Sequence, residues 1–125
     1  MDYTVRVERE IKVTQQDIDD IITTAFEGGI NYWCDRAHVM NGDNEHCASE
    51  QVSRGAAVIL YDSEGDEKHV LTVGKFMRGL AKAIEGNNYS SYEWFNEDSI
   101  DTCNVDAEVA DVIIQLALFG EVVYG

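Results

Sequence analysis

The chain has 125 residues, 45% of them hydrophobic, with 24 acidic against 9 basic side chains and a net charge of −15. That length suits one domain (residues 1–125) burying about two-thirds of the surface its unfolded chain exposes, and the apolar content excludes disorder by composition. The charge repels nucleic acid and anionic membrane and speeds encounter with basic surfaces, so a basic macromolecular partner is expected. No apolar run approaches about 18 residues, and Met1 leads into a charged, alternating segment rather than a signal peptide, so a soluble, intracellular protein is expected. Three cysteines leave one unpaired in any disulfide scheme, which fits a reducing compartment.

Residues 3–13 alternate. Tyr3, Val5, Val7, Ile11 and Val13 share one side, Thr4, Arg6, Glu8, Glu10 and Lys12 the other, and only Arg9 breaks the apolar face. This predicts a half-buried strand. Thr14 then caps a helix, with Asp17 completing a capping-box-like pair. Ile18, Ile21, Ile22, Ala25 and Phe26 form its core stripe and Gly28 and Gly29 end it, while Asp17, Asp19, Asp20 and Glu27 make a solvated face. Residues 30–40 alternate as a second strand, with Trp33 as a core anchor. Residues 49–55 are polar and suit a short turn. Residues 56–61 and 68–71 predict a hairpin around a turn rich in Gly and Asp, with His69 as an exposed packing residue.

Thr72 caps the next helix, whose inner face holds Val73, Phe76, Met77, Leu80, Ala81 and Ile84. Its outer face holds Lys75, Arg78 and Lys82, and internal pairing with the acidic helix is the favoured role for these cations. Residues 87–104 lack periodicity and interleave Tyr89, Tyr92, Trp94 and Phe95 with Glu93, Glu97, Asp98 and Asp101. Aromatics in an acidic frame suit an interface that receives Arg and Lys. Tyr92, Glu93, Trp94, Glu97 and Asp98 are therefore the candidate partner-binding residues; in the alternative, two or three of the loop's aromatics cover the core. Residues 106–119 form the most hydrophobic helix, either central or part of a dimer contact, and residues 122–124 suit a short edge strand. The expected class is α+β: an antiparallel sheet of about four strands with about three helices packed mainly on one face.

Residues 34–47, CDRAHVMNGDNEHC, hold two of the three cysteines and two of the three histidines. Cys34 and His38 precede a turn-forming Asn41, Gly42, Asp43 and Asn44; His46 and Cys47 follow it. Thiolate and imidazole are the donors zinc prefers, and these four are the candidate ligands of a structural zinc. In a straight strand Cys34 and His38 point the same way about 13 Å apart, at about 3.3 Å of rise per residue. One ion can take all four only if the chain bends or turns helical after Cys34. Otherwise Cys34 is a half-buried strand residue and the others lie near a loop.

Three segments, GGINYWCD (28–35), ASEQVSRGAAVILYD (48–62) and DAEVADVIIQLALFGEVVYG (106–125), resemble with their spacing a family of small acidic proteins encoded in phages and prophages of gut Firmicutes. The resemblance covers nearly the whole chain, and its segments carry no catalytic signature. In the family pattern an acidic or other non-ligand residue fills the position of His38, so the Cys/His cluster is a departure. Small phage proteins of this size and charge include anti-CRISPR proteins that block Cas9, and the chain resembles a zinc-containing type II-A member of that group. The resemblance implies Cas9 as the partner and the cytoplasm of the infected bacterium as the place of action.

The leading expectation is thus a non-enzymatic inhibitor that binds a basic, nucleic-acid-handling protein and hinders DNA loading. The alternative is a sponge for a nucleotide immune signal, built from Lys75, Arg78, Lys82 and the aromatics of residues 87–104. A zinc hydrolase using Glu45 or Asp43 as base is disfavoured, because the sequence holds no HExxH or deaminase motif, no Gly-rich phosphate loop and no nucleophile motif.

Overall fold

Thr14 starts the first helix, α1 (Gln15–Thr24), by reciprocal bonding: its Oγ1 accepts from Asp17 N–H while Asp17 Oδ2 accepts from Thr14 N–H, both at 3.0 Å. The computed structural model describes residues 1–125 except 6, 7, 9, 65, 66 and 87–92. Tyr89 and Tyr92 therefore lie outside the described residues, as do Arg6, Val7 and Arg9 of the expected first strand. Ile18, Ile21 and Ile22 bury the inner face of α1. The helix then widens into a π turn, Ala25–Gly29, that packs on the fourth helix. A Cβ at Gly29 would lie 2.6 Å from Ala107 O, so the approach of the two backbones requires glycine there.

The sheet has three antiparallel strands, β1 (Cys34–Met40), β2 (Ala57–Asp62) and β3 (Lys68–Leu71), in the order β1-β2-β3. Residues 30–33 continue the turn that follows α1, with Cys34 N–H bonded to Ile30 O at 2.8 Å, so β1 begins later than the alternation predicts. Val39 pairs with Val58 and Val58 with Leu71. Val58, Leu60 and Leu71 are fully buried on the inner face. On the outer face the Tyr61 ring lies between two cations, Arg36 at 4.0 Å and Lys68 at 5.8 Å from its centroid.

Between β1 and β2 lies a short helix, α2 (Ala48–Gln51), extended by a 3₁₀ turn, Val52–Arg54, where the polar composition suggested only a turn. Helix α3 (Val73–Gly86) buries Phe76, Gly79, Leu80 and Ala83. Helix α4 (Ala107–Phe119) is capped by Asp106, whose Oδ1 accepts from Val109 N–H at 2.9 Å. Every residue from Val109 to Leu116 is buried, so α4 is the central helix. At Gly79 the backbones of α3 and α4 meet: a Cβ there would lie 2.5 Å from Ala117 N and 2.6 Å from Ile113 O.

The fold is α+β, as the sequence predicts, with three strands rather than about four and four α-helices rather than three among the described residues. The described residues of the expected first strand belong to none of these three. Among its described residues Tyr3 and Val5 are 86% and 81% exposed, Ile11 and Val13 pack against the core, and the one bridge is Lys12 to Ser99. Period-two alternation makes a strand only where a partner edge receives it, and here neither β1 nor β3 does. Residues 122–124 likewise form no strand; the Gln115 side chain of α4 holds Val123 and Tyr124 instead. Among the described residues, no helix is long and apolar enough to cross a membrane.

Candidate functional site

The four Cys/His donors of residues 34–47 are not gathered, which corrects the expected zinc set. A bulge between Cys34 and Arg36 reverses the alternation of β1. Cys34 is buried with the core, whereas His38 is exposed opposite Ile59 on the other face. Burial pushes the Cys34 thiol up, away from the thiolate that binds metal, and its Sγ donates to Arg36 O at 3.4 Å. His46 Nδ1 faces Asp43 at 2.9 Å, and Cys47 Sγ donates to Glu50 Oε1 at 2.9 Å. The His46 imidazole holds Asp43 at about 2, below the ordinary carboxylate range. Gln51, 2% exposed, organises this loop by donating to Asp43 O and His46 O at 3.0 and 2.8 Å. Asp43 and Glu45, the bases considered for a hydrolase, are thus an exposed loop anchor and its neighbour.

A different group converges at the turn end of the hairpin. Asp62 ends β2, Glu67 precedes β3 and His69 is the second residue of β3; one ligand atom from each lies within 4.8 Å of the others. These three residues could hold a metal ion. His69 pairs with Leu60, so its ring points inward, with the Phe119 ring edge-on at 4.8 Å. Its Nε2 is shielded from solvent and has no hydrogen-bond partner; the nearest carboxylate oxygen, Glu67 Oε2, is 3.8 Å away. Asp62 Oδ1 accepts from Glu64 N–H at 2.8 Å, and Asp62 Oδ2 accepts from the Tyr124 hydroxyl. Those donors hold the Asp62 carboxyl below its ordinary pKa, while the Asp62 carboxylate pushes Tyr124 up to about 12.

The C-terminal tail reaches this group because α4 straps it down. Gln115 Oε1 accepts from Val123 and Tyr124 N–H, both at 2.8 Å, and Gln115 Nε2 donates to Asp111 Oδ1 at 2.9 Å. Asp111 in turn accepts from Trp33 Nε1 at 2.8 Å and from the Tyr32 hydroxyl at 2.5 Å. A buried carboxylate is tolerated here because both of its oxygens receive donors. Removal of the Tyr32 hydroxyl from water, with Asp111 beside it, raises Tyr32 to about 12.

The described part of the aromatic, acidic segment, residues 93–104, is folded rather than loose. Trp94 is 2% exposed and belongs to the core, with Phe95 edge-on at 4.9 Å, which corrects its expected place on an interface. Phe95 bridges to Ile100, and Asn96 Oδ1 accepts from Asp98 and Ser99 N–H at 3.0 and 2.9 Å to close the turn. Glu93, Glu97 and Asp98 are exposed, while Tyr92 lies outside the described residues. Asp19, expected in solvent, is 7% exposed and paired with Arg54 at 3.1 Å. The cations of α3 do not meet the acidic helix. Lys75 and Lys82 donate to the carbonyls of Val70 and Gly120 at 2.9 and 3.2 Å. That also commits two of the three cations proposed for a nucleotide sponge.

No protein family, curated protein or solved structure matches the chain. Sequence reasoning missed the hairpin group and the Gln115 strap. The first had a readable signal, Asp62-x4-Glu67-x-His69 across a turn, in which strand parity puts His69 with Leu71 on the inner face.

Proposed function

We propose that the protein is a non-enzymatic binding module whose acidic surface docks on a basic, nucleic-acid-handling protein. One observation carries this reading: among the described residues, Arg54 with Asp19 is the single pairing of a Lys or Arg with a carboxylate, in a chain of 24 acidic residues. Carboxylates left without cationic partners create a strong outward field, which accelerates encounter with a positively charged surface. Exposed Glu93, Glu97, Asp98, Asp101, Asp106 and Glu108 concentrate that charge along one sequence segment beside the core residues Trp94 and Val105. This segment is the proposed docking edge.

Type II-A Cas9 is the specific partner proposed, in the cytoplasm of a phage-infected bacterium. Support for that choice is the resemblance to small acidic phage proteins, together with the positively charged channel in which Cas9 holds its guide and target. Occupying that channel or its mouth hinders DNA loading. Zinc belongs to this reading as a structural ion. Mixing the protein with Cas9 and guide RNA, then following complex formation and DNA cleavage, tests the proposal. A complex with reduced cleavage supports it. Full cleavage with no complex overturns Cas9 as the partner, and failure to bind any basic nucleic-acid-handling protein overturns the class.

A further inference from the structure

We infer that Asp62, Glu67 and His69 form a zinc site that ties the turn end of the β2–β3 hairpin to the C-terminal tail. The inference is independent of the partner, since it concerns the isolated chain. Three observations converge on these residues. Their ligand atoms already lie within 4.8 Å of one another, on three positions fixed by hairpin pairing: Asp62 N–H bonds to Glu67 O at 3.2 Å, and His69 pairs with Leu60. His69 Nε2 is sealed from solvent without a hydrogen-bond partner, although the side chain as a whole is 17% exposed. A buried polar atom in that state calls for a partner, and an imidazole lone pair is a standard metal donor. Finally, Asp62 is oriented by donors outside the cluster, Glu64 N–H and the Tyr124 hydroxyl. Outer partners of this kind fix a ligand's geometry and tune its affinity.

The donor set selects the ion. One imidazole nitrogen and two carboxylate oxygens suit zinc, which accepts mixed N and O ligands, with water completing the coordination. Calcium and magnesium favour sites built from oxygen alone. Glu67 is 77% exposed, so its carboxylate can close on an ion that enters from solvent. The chain's negative field raises the local cation concentration. The bland reading of the same geometry is a hairpin end with two surface acids, where His69 answers Glu67 only when protonated.

Calorimetric titration of the metal-stripped, tag-free full chain with zinc alone separates these readings. One zinc per chain is expected, with a higher melting temperature in its presence. Glu67→Gln and His69→Gln should each weaken binding by about 100-fold, and Tyr124→Phe by about tenfold. His38→Gln and Cys47→Ser should leave the affinity unchanged, because neither residue lies in the group. Glu67→Gln alters an exposed side chain, so it remains decisive even if His69→Gln fails to fold. No zinc binding at millimolar metal, wild-type affinity in Glu67→Gln, loss of binding in Cys47→Ser, or calcium competing as well as zinc would each overturn the site.

Discussion

The ring of Tyr124 lies parallel to that of Trp33, with 4.9 Å between centroids and 3° between planes. Trp33 precedes β1 and Tyr124 is the penultimate residue, so this stack joins distant parts of the chain. The same tyrosine bonds Asp62, and its backbone is held by Gln115. Tyr124→Ala removes the stack and the Asp62 contact together. It should lower the chemical denaturation midpoint, with the aromatic pair alone contributing about 0.5–1.5 kcal/mol. It should also change Trp33 fluorescence in the folded state. An unchanged denaturation midpoint would show that the tail is not part of the cooperative fold.

Trp94→Ala should destabilise the protein by about 3–5 kcal/mol, the usual cost of emptying a buried aromatic site, because Trp94 is 2% exposed. Glu97→Lys with Asp98→Lys, at exposed positions on the same segment, should leave the melting temperature nearly unchanged. A fully stable Trp94→Ala protein would contradict the assignment of this tryptophan to the core.

Gly79→Ala probes the contact of α3 with the central helix. Its new Cβ would meet backbone atoms of Ala117 and Ile113, which cannot turn aside as a side chain can. The expected loss is about 1–3 kcal/mol by denaturation, despite alanine's better helix propensity. Stabilisation would mean that the helices separate without cost.

The contact of Tyr32 with Asp111 gives an alkaline signature. The folded-state pKa of Tyr32, about 12, lies above its ordinary value of 10.0. This contact therefore contributes stability that is complete below pH 10 and is lost as pH rises through about 12. Tyrosinate absorbance should show a late-titrating group that Tyr32→Phe removes. Identical titration curves for the two proteins would contradict the contact.

What the sequence made legible was local. Thr14 and Asp17 announce their capping box, two short strand segments around a turn rich in Gly and Asp mark β2 and β3, and apolar periodicity marks α3 and α4, because each signal is set by neighbours along the chain. The bulge after Cys34 was not readable, and it separates Cys34 from His38 across the sheet. Nor did alternation in residues 3–13 reveal that its described residues join none of the three strands of the sheet. Trp94 shows the same limit: an aromatic among carboxylates reads equally well as interface or core until packing decides. For the hairpin group the spacing Asp62-x4-Glu67-x-His69 and strand parity carry the signal, which His69 taken alone does not.

If unpaired carboxylates drive partner binding, as proposed, the affinity for guide-loaded Cas9 must depend on salt. Between 0.1 M and 1 M salt the Debye length shrinks from about 10 Å to about 3 Å. Affinity of the wild-type protein should fall by about tenfold or more across that range. Glu97→Lys with Asp98→Lys should bind more slowly at low salt and show a shallower dependence. An affinity indifferent to salt, or the same association rate after this charge reversal, would contradict the claim.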